Sequence, residues 1–124
     1  MATKSESMSM ILEKLGEVGG IKASAVISAD GLPIVHRIPQ DIDPNNFAAM
    51  MASMVGAAEE ALKYLGSKNI FDTIFAESKD IRVVAIKAGE NAILTVMTDP
   101  NANYGLIKMY TKRSADEIAA VLKD

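Results

Sequence analysis

The 124-residue sequence predicts an α+β domain in the order helix, two strands, helix, three strands, helix. Three observations carry that prediction. Apolar residues recur at helical spacing near both ends and in the middle of the chain. The strands between them are joined by turns too tight for a crossover, which favours antiparallel pairing. No strand–helix–strand repeat of the kind that builds a parallel sheet occurs.

Thr3 and Glu6 stand in capping-box spacing ahead of Met8, Ile11, Leu12 and Leu15, which share one helical face. Gly16, Gly19 and Gly20 end that helix. A strand follows over Ile21–Ser28, with Ile21, Ala23, Ala25 and Ile27 on one face, then an Asp30-Gly31 turn and a short strand near Ile34–Ile38. Asp43-Pro44 is a strong helix start, an acceptor at N-cap followed by a proline where no N–H is needed. That helix is expected to run to Leu65, with Gly66 as its left-handed stop.

Three strands are expected at about Ile70–Ser78, Ile81–Ala88 and Ala92–Thr98, separated by turns at Lys79-Asp80 and Gly89-Glu90-Asn91. A last helix begins near Asn103, with Ile107, Tyr110, Ser114, Ile118 and Val121 along one stripe and Lys108, Lys112 and Asp116 toward water. Without repeats or a linker, the chain reads as one domain spanning residues 1–124.

Composition narrows the function classes. A net charge of −3 and 5% aromatic residues argue against nucleic acid and anionic lipid as partners. Cysteine is absent, which removes thiolate chemistry and fits a reducing, cytoplasmic setting. The polar start Met-Ala-Thr-Lys-Ser-Glu-Ser leads into no apolar signal core.

Catalytic constellations are missing too. His36 is the single histidine, so no multi-histidine metal site forms within one chain. Ser28, Ser53 and Ser114 lack a nucleophile-elbow context, and neither phosphate-binding glycine motif occurs. Asp41-Ile42-Asp43 opens like a calcium loop, but Asn46 replaces the turn glycine and Ala52 the bidentate glutamate. Lys108, Lys112 and Arg113 form a small basic patch that reads as a solvated helix face. We therefore expect no enzyme, no cofactor and no metal.

The middle helix is the informative segment. From Phe47 to Ala58 it carries no charge, and only Ser53 is polar. Phe47, Met51, Met54, Val55, Ala58, Leu62 and Leu65 form its broad apolar face, expected on the sheet. The opposite side is Ala49, Ala52, Ser53 and Gly56, with charge arriving at Glu59, Glu60 and Lys63. An outer face this smooth permits close approach of another helix, and Met50 and Met54 supply adaptable apolar contact. The strand at Ile70–Ser78 is apolar on both faces, with Ile70, Ile74 and Ala76 on one and Phe71, Thr73 and Phe75 on the other. At a sheet edge it would invite a second copy, unless Asp72 and Glu77 guard it.

Several ordered segments resemble the roadblock/dynein light chain family. They are Leu15-Gly16-Glu17-Val18-Gly19-Gly20, the hairpin Ser28-Ala29-Asp30-Gly31-Leu32-Pro33-Ile34, the Ala/Met-rich helix ending Leu65-Gly66, Ile93-Leu94-Thr95-Val96 and Asn103-Tyr104-Gly105-Leu106-Ile107. The resemblance implies a five-stranded antiparallel sheet with one helix on one face and two on the other. It also implies a homodimer formed by third strands edge to edge and middle helices side by side, in the small archaeal or bacterial style.

Carried onto this chain, the self-association set is Phe71, Thr73 and Phe75 with Met50, Ala57 and Ala61. The partner platform is Ala49, Ala52, Ser53, Gly56 and Glu60. The implied partners are a second copy, a small Ras-like GTPase and other roadblock-like or longin-like subunits. The leading expectation is thus a non-catalytic homodimeric module that regulates or localises a Ras-like GTPase. The alternatives are an architectural light-chain subunit without effect on nucleotide turnover, and a small-ligand sensor.

Overall fold

The computed structural model describes residues 1–123. Eight elements follow in the expected order: α1 (Lys4–Leu15), β1 (Ile21–Ser28), β2 (Pro33–Arg37), α2 (Pro44–Tyr64), β3 (Ile74–Glu77), β4 (Arg82–Lys87), β5 (Ala92–Thr98) and α3 (Tyr104–Leu122). The strands form one antiparallel sheet in the order β2-β1-β5-β4-β3. β5 therefore inserts between the two hairpins, leaving β2 and β3 as the edges.

The helix ends form where local chemistry demands. Thr3 and Glu6 close the reciprocal capping box at 3.1 and 3.0 Å. The Asp43 carboxylate accepts from the Asn45 N–H at 2.9 Å and caps the helix. At the far end of α2, Gly66 adopts φ +104°. Its N–H donates to the Lys63 carbonyl and the Ser67 N–H to Leu62, the paired bonds of a Schellman stop.

The sheet separates two apolar cores. On one face α1 and α3 bury Met8, Leu12, Leu15, Ile107, Ala115 and Ile118 against Val26, Val84, Leu94 and Val96. On the other face α2 buries Phe47, Ala48 and Val55 against Ala25, Ile27, Ala85 and Ile93. The layering is one helix on one face and two on the other.

Four details differ from the sequence reading. Ile21 packs with the α1/α3 core, away from Ala25 and Ile27, because a register shift between Ile21 and Ala23 breaks the alternation. α3 buries Thr111 and Ala115 beside Ile107, while Lys108 is half-buried and pairs with Asp72.

The third strand is shorter than Ile70–Ser78. Phe71 and Ile74 share the α2 core, and a spacing of three is incompatible with an extended strand joining them. Leu62 and Leu65 are exposed and not on the sheet, since the last turns of α2 run past the core; Ala48 takes the inner position instead.

Candidate protein-binding surface

The candidate surface has two parts, the outward flank of α2 and the open edge at β3. Along the first four turns of α2 the exposed residues are Asn45, Asn46, Ala49, Met50, Ser53, Gly56 and Ala57. None carries a charge. The Ser53 hydroxyl donates to the Ala49 carbonyl at 2.9 Å, so even this polar group is turned back onto the helix. A Cβ placed on Gly56 would meet nothing within 4 Å, leaving a shallow notch midway along the helix.

Helical geometry sorts the predicted residues into neighbouring stripes. Ala49, Ser53, Gly56 and Glu60 lie along one, and Met50, Ala57 and Ala61 along the next; all seven are exposed. Ala52 is the exception to the predicted platform. It is half-buried, packs toward the α2 core, and would lie 3.5 Å from a Cβ on Gly31 in the β1–β2 turn. That turn requires φ +89° at Gly31 and approaches α2 closely, which is why Ala52 cannot face outward.

The C-terminal end of α2 shows more apolar surface than the sequence reading assigned it. Tyr64, Leu65 and Ile70 are 91%, 78% and 72% exposed, and Met50 is 67% exposed nearer the start. Where such groups adjoin, they form an apolar patch of the kind proteins use for contact. Charge returns here with Glu59, Glu60, Lys63 and Lys68, and Lys63 lies 3.9 Å from Glu60.

The β3 edge is built from different contacts. Phe71 is buried beneath α2, so it belongs to the core of its own chain and does not line the edge. Thr73 is half-buried just before β3. Phe75 lies opposite Val84 and therefore on the α1/α3 side, 52% exposed, with its ring 5.2 Å from Tyr104. Sequence alternation placed Phe71 and Phe75 together, and the break in extended backbone between them separates them.

Arg82 anchors this corner. It is 8% exposed, and its Nε and Nη2 donate to the Glu77 carboxylate at 2.8 and 2.7 Å. Nη2 also donates to the Pro100 carbonyl at 2.9 Å and Nη1 to Ala102, while the guanidinium sits 5.4 Å from the centre of the Tyr104 ring. Arg82 was not among the residues singled out from sequence; the signal available was an arginine opening a strand whose middle, Val83–Ile86, is apolar.

Exposed large apolar side chains also occur away from α2, among them Met10, Leu32 and Leu106. Lys108 pairs with Asp72 at 3.1 Å and Lys112 with Asp116 at 3.2 Å, so two charges of the basic patch are balanced locally, while the Arg113 guanidinium lies 5.4 Å from the centre of the Tyr110 ring and keeps its charge. Hydrogen bonding to Lys108 holds the Asp72 carboxyl below its ordinary range. His36 is exposed on edge strand β2. Among the described residues no group of three or more His, Cys, Asp or Glu side chains could hold a metal ion, and no helix is long and apolar enough to cross a membrane.

Comparison with known proteins decides the family. The Roadblock/LC7 domain model matches residues 8–98, from α1 to the end of β5. The chain belongs to the Roadblock/LC7 family. Two relatives from Methanocaldococcus jannaschii, the uncharacterized proteins MJ0714 and MJ0310, are each 36% identical over 111 residues, 90% of this chain and 92% and 96% of theirs.

Solved structures agree on the fold of this Roadblock/LC7 domain. Myxococcus xanthus MglB superposes with a TM-score of 0.89 at 21% identity, covering 99% of this chain and 92% of that one. The gliding protein MglB of Thermus thermophilus gives 0.88 at 22%, covering 99% and 93%. A Roadblock/LC7 domain from Streptomyces avermitilis gives 0.87 at 15%, covering 94% and 98%.

Proposed function

We propose that this Roadblock/LC7 domain is a non-catalytic, homodimeric protein-binding module of the cytoplasm that engages a small Ras-like GTPase. The observation that carries the reading is the uncharged outward flank of α2, flanked by the exposed side chains of Met50 and Tyr64. A surface helix that faces water alone carries charge along its outer side. Met50, Ala57 and Ala61 then serve self-association together with Thr73 and Phe75. Ala49, Ser53, Gly56 and Glu60 form the platform that a GTPase covers, with Ala52 supporting it from beneath.

The chemistry of such a module is mass action and positioning. A dimer places two α2 flanks together and offers a continuous surface of small side chains, onto which a partner can pack its backbone closely. Regulation follows if the GTPase conformer that fits this surface hydrolyses or exchanges nucleotide at a different rate. The test is pull-down of the host's small GTPases by the purified domain, followed by their hydrolysis and exchange rates with and without it. Binding with altered rates is the expected result. Binding with unchanged rates would identify an architectural subunit, and no binding to any of them would remove the GTPase reading.

A further inference from the structure

α1 and α3 share the sheet face opposite α2, and short loops fix how they lie. Residues 16–20 join α1 to β1 and residues 99–103 join β5 to α3, so each helix folds back antiparallel to its own strand. β1 and β5 are themselves antiparallel, which makes α1 and α3 antiparallel to one another. The two loops adjoin, since a Cβ on Gly20 would meet the Ala102 side chain.

Between the helices runs a cleft of about 410 Å3, walled by Ile11, Leu15 and Val18 on one side and by Leu106 and Tyr110 on the other. From Leu106 to Glu117 it follows about three turns of α3, roughly 16 Å. Apolar surface continues past its rims. Leu106, Met109 and Met10 are all exposed, Met109 one turn before Arg113 and Met10 one turn before Lys14.

Four charged residues line the same cleft, Lys14, Glu17, Arg113 and Glu117, and all are exposed. Among the described residues none of the four has an ion-pair partner, although both signs of charge are present. Arg113 lies over the Tyr110 ring instead, with its charge intact.

The antiparallel arrangement sets the order of these charges. In one direction along the cleft α3 presents Leu106, Tyr110, Arg113 and Glu117, while α1 and its turn present Val18, Glu17, Lys14 and Ile11. A carboxylate therefore stands toward each end, and the two cations lie between. The order reads alike from either end, so it selects a charge pattern and not a direction.

We propose that this cleft docks an amphipathic helix of a partner protein, one with carboxylates in its central turn, cationic side chains at both ends and an apolar stripe between. The valley between two antiparallel helices has the shape to seat a third. Lys14 and Arg113 meet the central carboxylates, and Glu17 and Glu117 meet the terminal cations. A small ligand fits the site less well. Its charged groups stand in water, which screens them, and the apolar rims extend beyond the cleft. This surface lies across the sheet from α2, so it adds to the reading above and stands without it.

Two synthetic helical peptides with blocked termini test the pattern, by fluorescence anisotropy with the full parent chain. Both carry the same leucine stripe and the same composition. One has glutamates in its central turn and lysines at its ends, and the other has the reverse. The first should bind about tenfold more tightly or better. Equal binding of the two, or binding of neither at millimolar chain, would overturn the proposal.

Inverting all four charges, with Lys14→Glu, Glu17→Lys, Arg113→Glu and Glu117→Lys together, should reverse the preference at unchanged net charge. An unaltered preference would place the peptide elsewhere on the chain and overturn the cleft as its seat. Free leucine, a zwitterion with an apolar side chain, should not displace the first peptide at millimolar concentration; displacement would assign the cleft to a small molecule instead.

Discussion

The Arg82 guanidinium and the Glu77 carboxylate meet at 2.7 Å across the β3–β4 hairpin, one side chain nearly buried and the other 43% exposed. This pair ties the edge strand to the start of α3, because the same guanidinium holds the carbonyls of Pro100 and Ala102. Arg82→Met keeps much of the buried stem but leaves these acceptors without their donor. We expect a loss of about 1–3 kcal/mol by urea denaturation, less than for a fully buried pair because water reaches Glu77. Hydrogen exchange should rise first in β3 and the first turn of α3.

Gly56 offers a prediction whose sign depends on what covers α2. The added methyl of Gly56→Ala meets nothing within 4 Å in the single chain, so by helix propensity it should stabilise the monomer by about 0.5–1 kcal/mol. Under the proposed close approach of another protein, the same methyl should weaken association. The thermal midpoint at low concentration and the dissociation constant should therefore both rise. Gly56→Glu should abolish dimer formation or partner binding while leaving the far-UV circular dichroism of the fold unchanged.

The stop at Gly66 should be intolerant of a side chain. At φ +104° an alanine is strained, and the Schellman bonds to Lys63 and Leu62 depend on that backbone. Gly66→Ala should cost about 1–2 kcal/mol in denaturant unfolding.

Asp72 gives a pH dependence of definite sign. Its carboxyl is lowered from 3.8 mainly by the hydrogen bond and charge of Lys108. A lowered folded value means the contribution is present above the unfolded value and is lost as pH falls through the folded one. Asp72→Asn should remove that acid-side component of the stability profile. High salt should shrink it in the parent chain, because the pair is exposed and screened.

Most of the fold was legible because its signals are local. The capping box at Thr3 and Glu6, the Asp43-Pro44 start and the Gly66 stop are each fixed by chemistry within a few residues, and all three form as read. The outward flank of α2 was legible for the same reason, since helical spacing alone separates Ala49, Ser53 and Gly56 from Phe47 and Val55.

What escaped the sequence depends on tertiary register. Period-two counting put Phe71 beside Phe75, but backbone that is not extended between them sends the first beneath α2 and the second toward Tyr104. A register shift likewise turned Ile21 over. Leu62 and Leu65 fit the apolar spacing of α2 yet lie beyond the sheet, a matter of where β3 begins and not of periodicity. Arg82 was invisible because its partners come from Glu77, Pro100, Ala102 and Tyr104, which adjoin only in the folded chain.

The central claim is that another protein covers the outward side of α2, a second copy of this chain first of all. Sedimentation equilibrium of the purified chain is its most direct test. The account predicts a particle of twice the 13.2 kDa chain mass, reduced toward the single-chain value by Phe75→Lys. A parent chain that stays at 13.2 kDa at every concentration would contradict it.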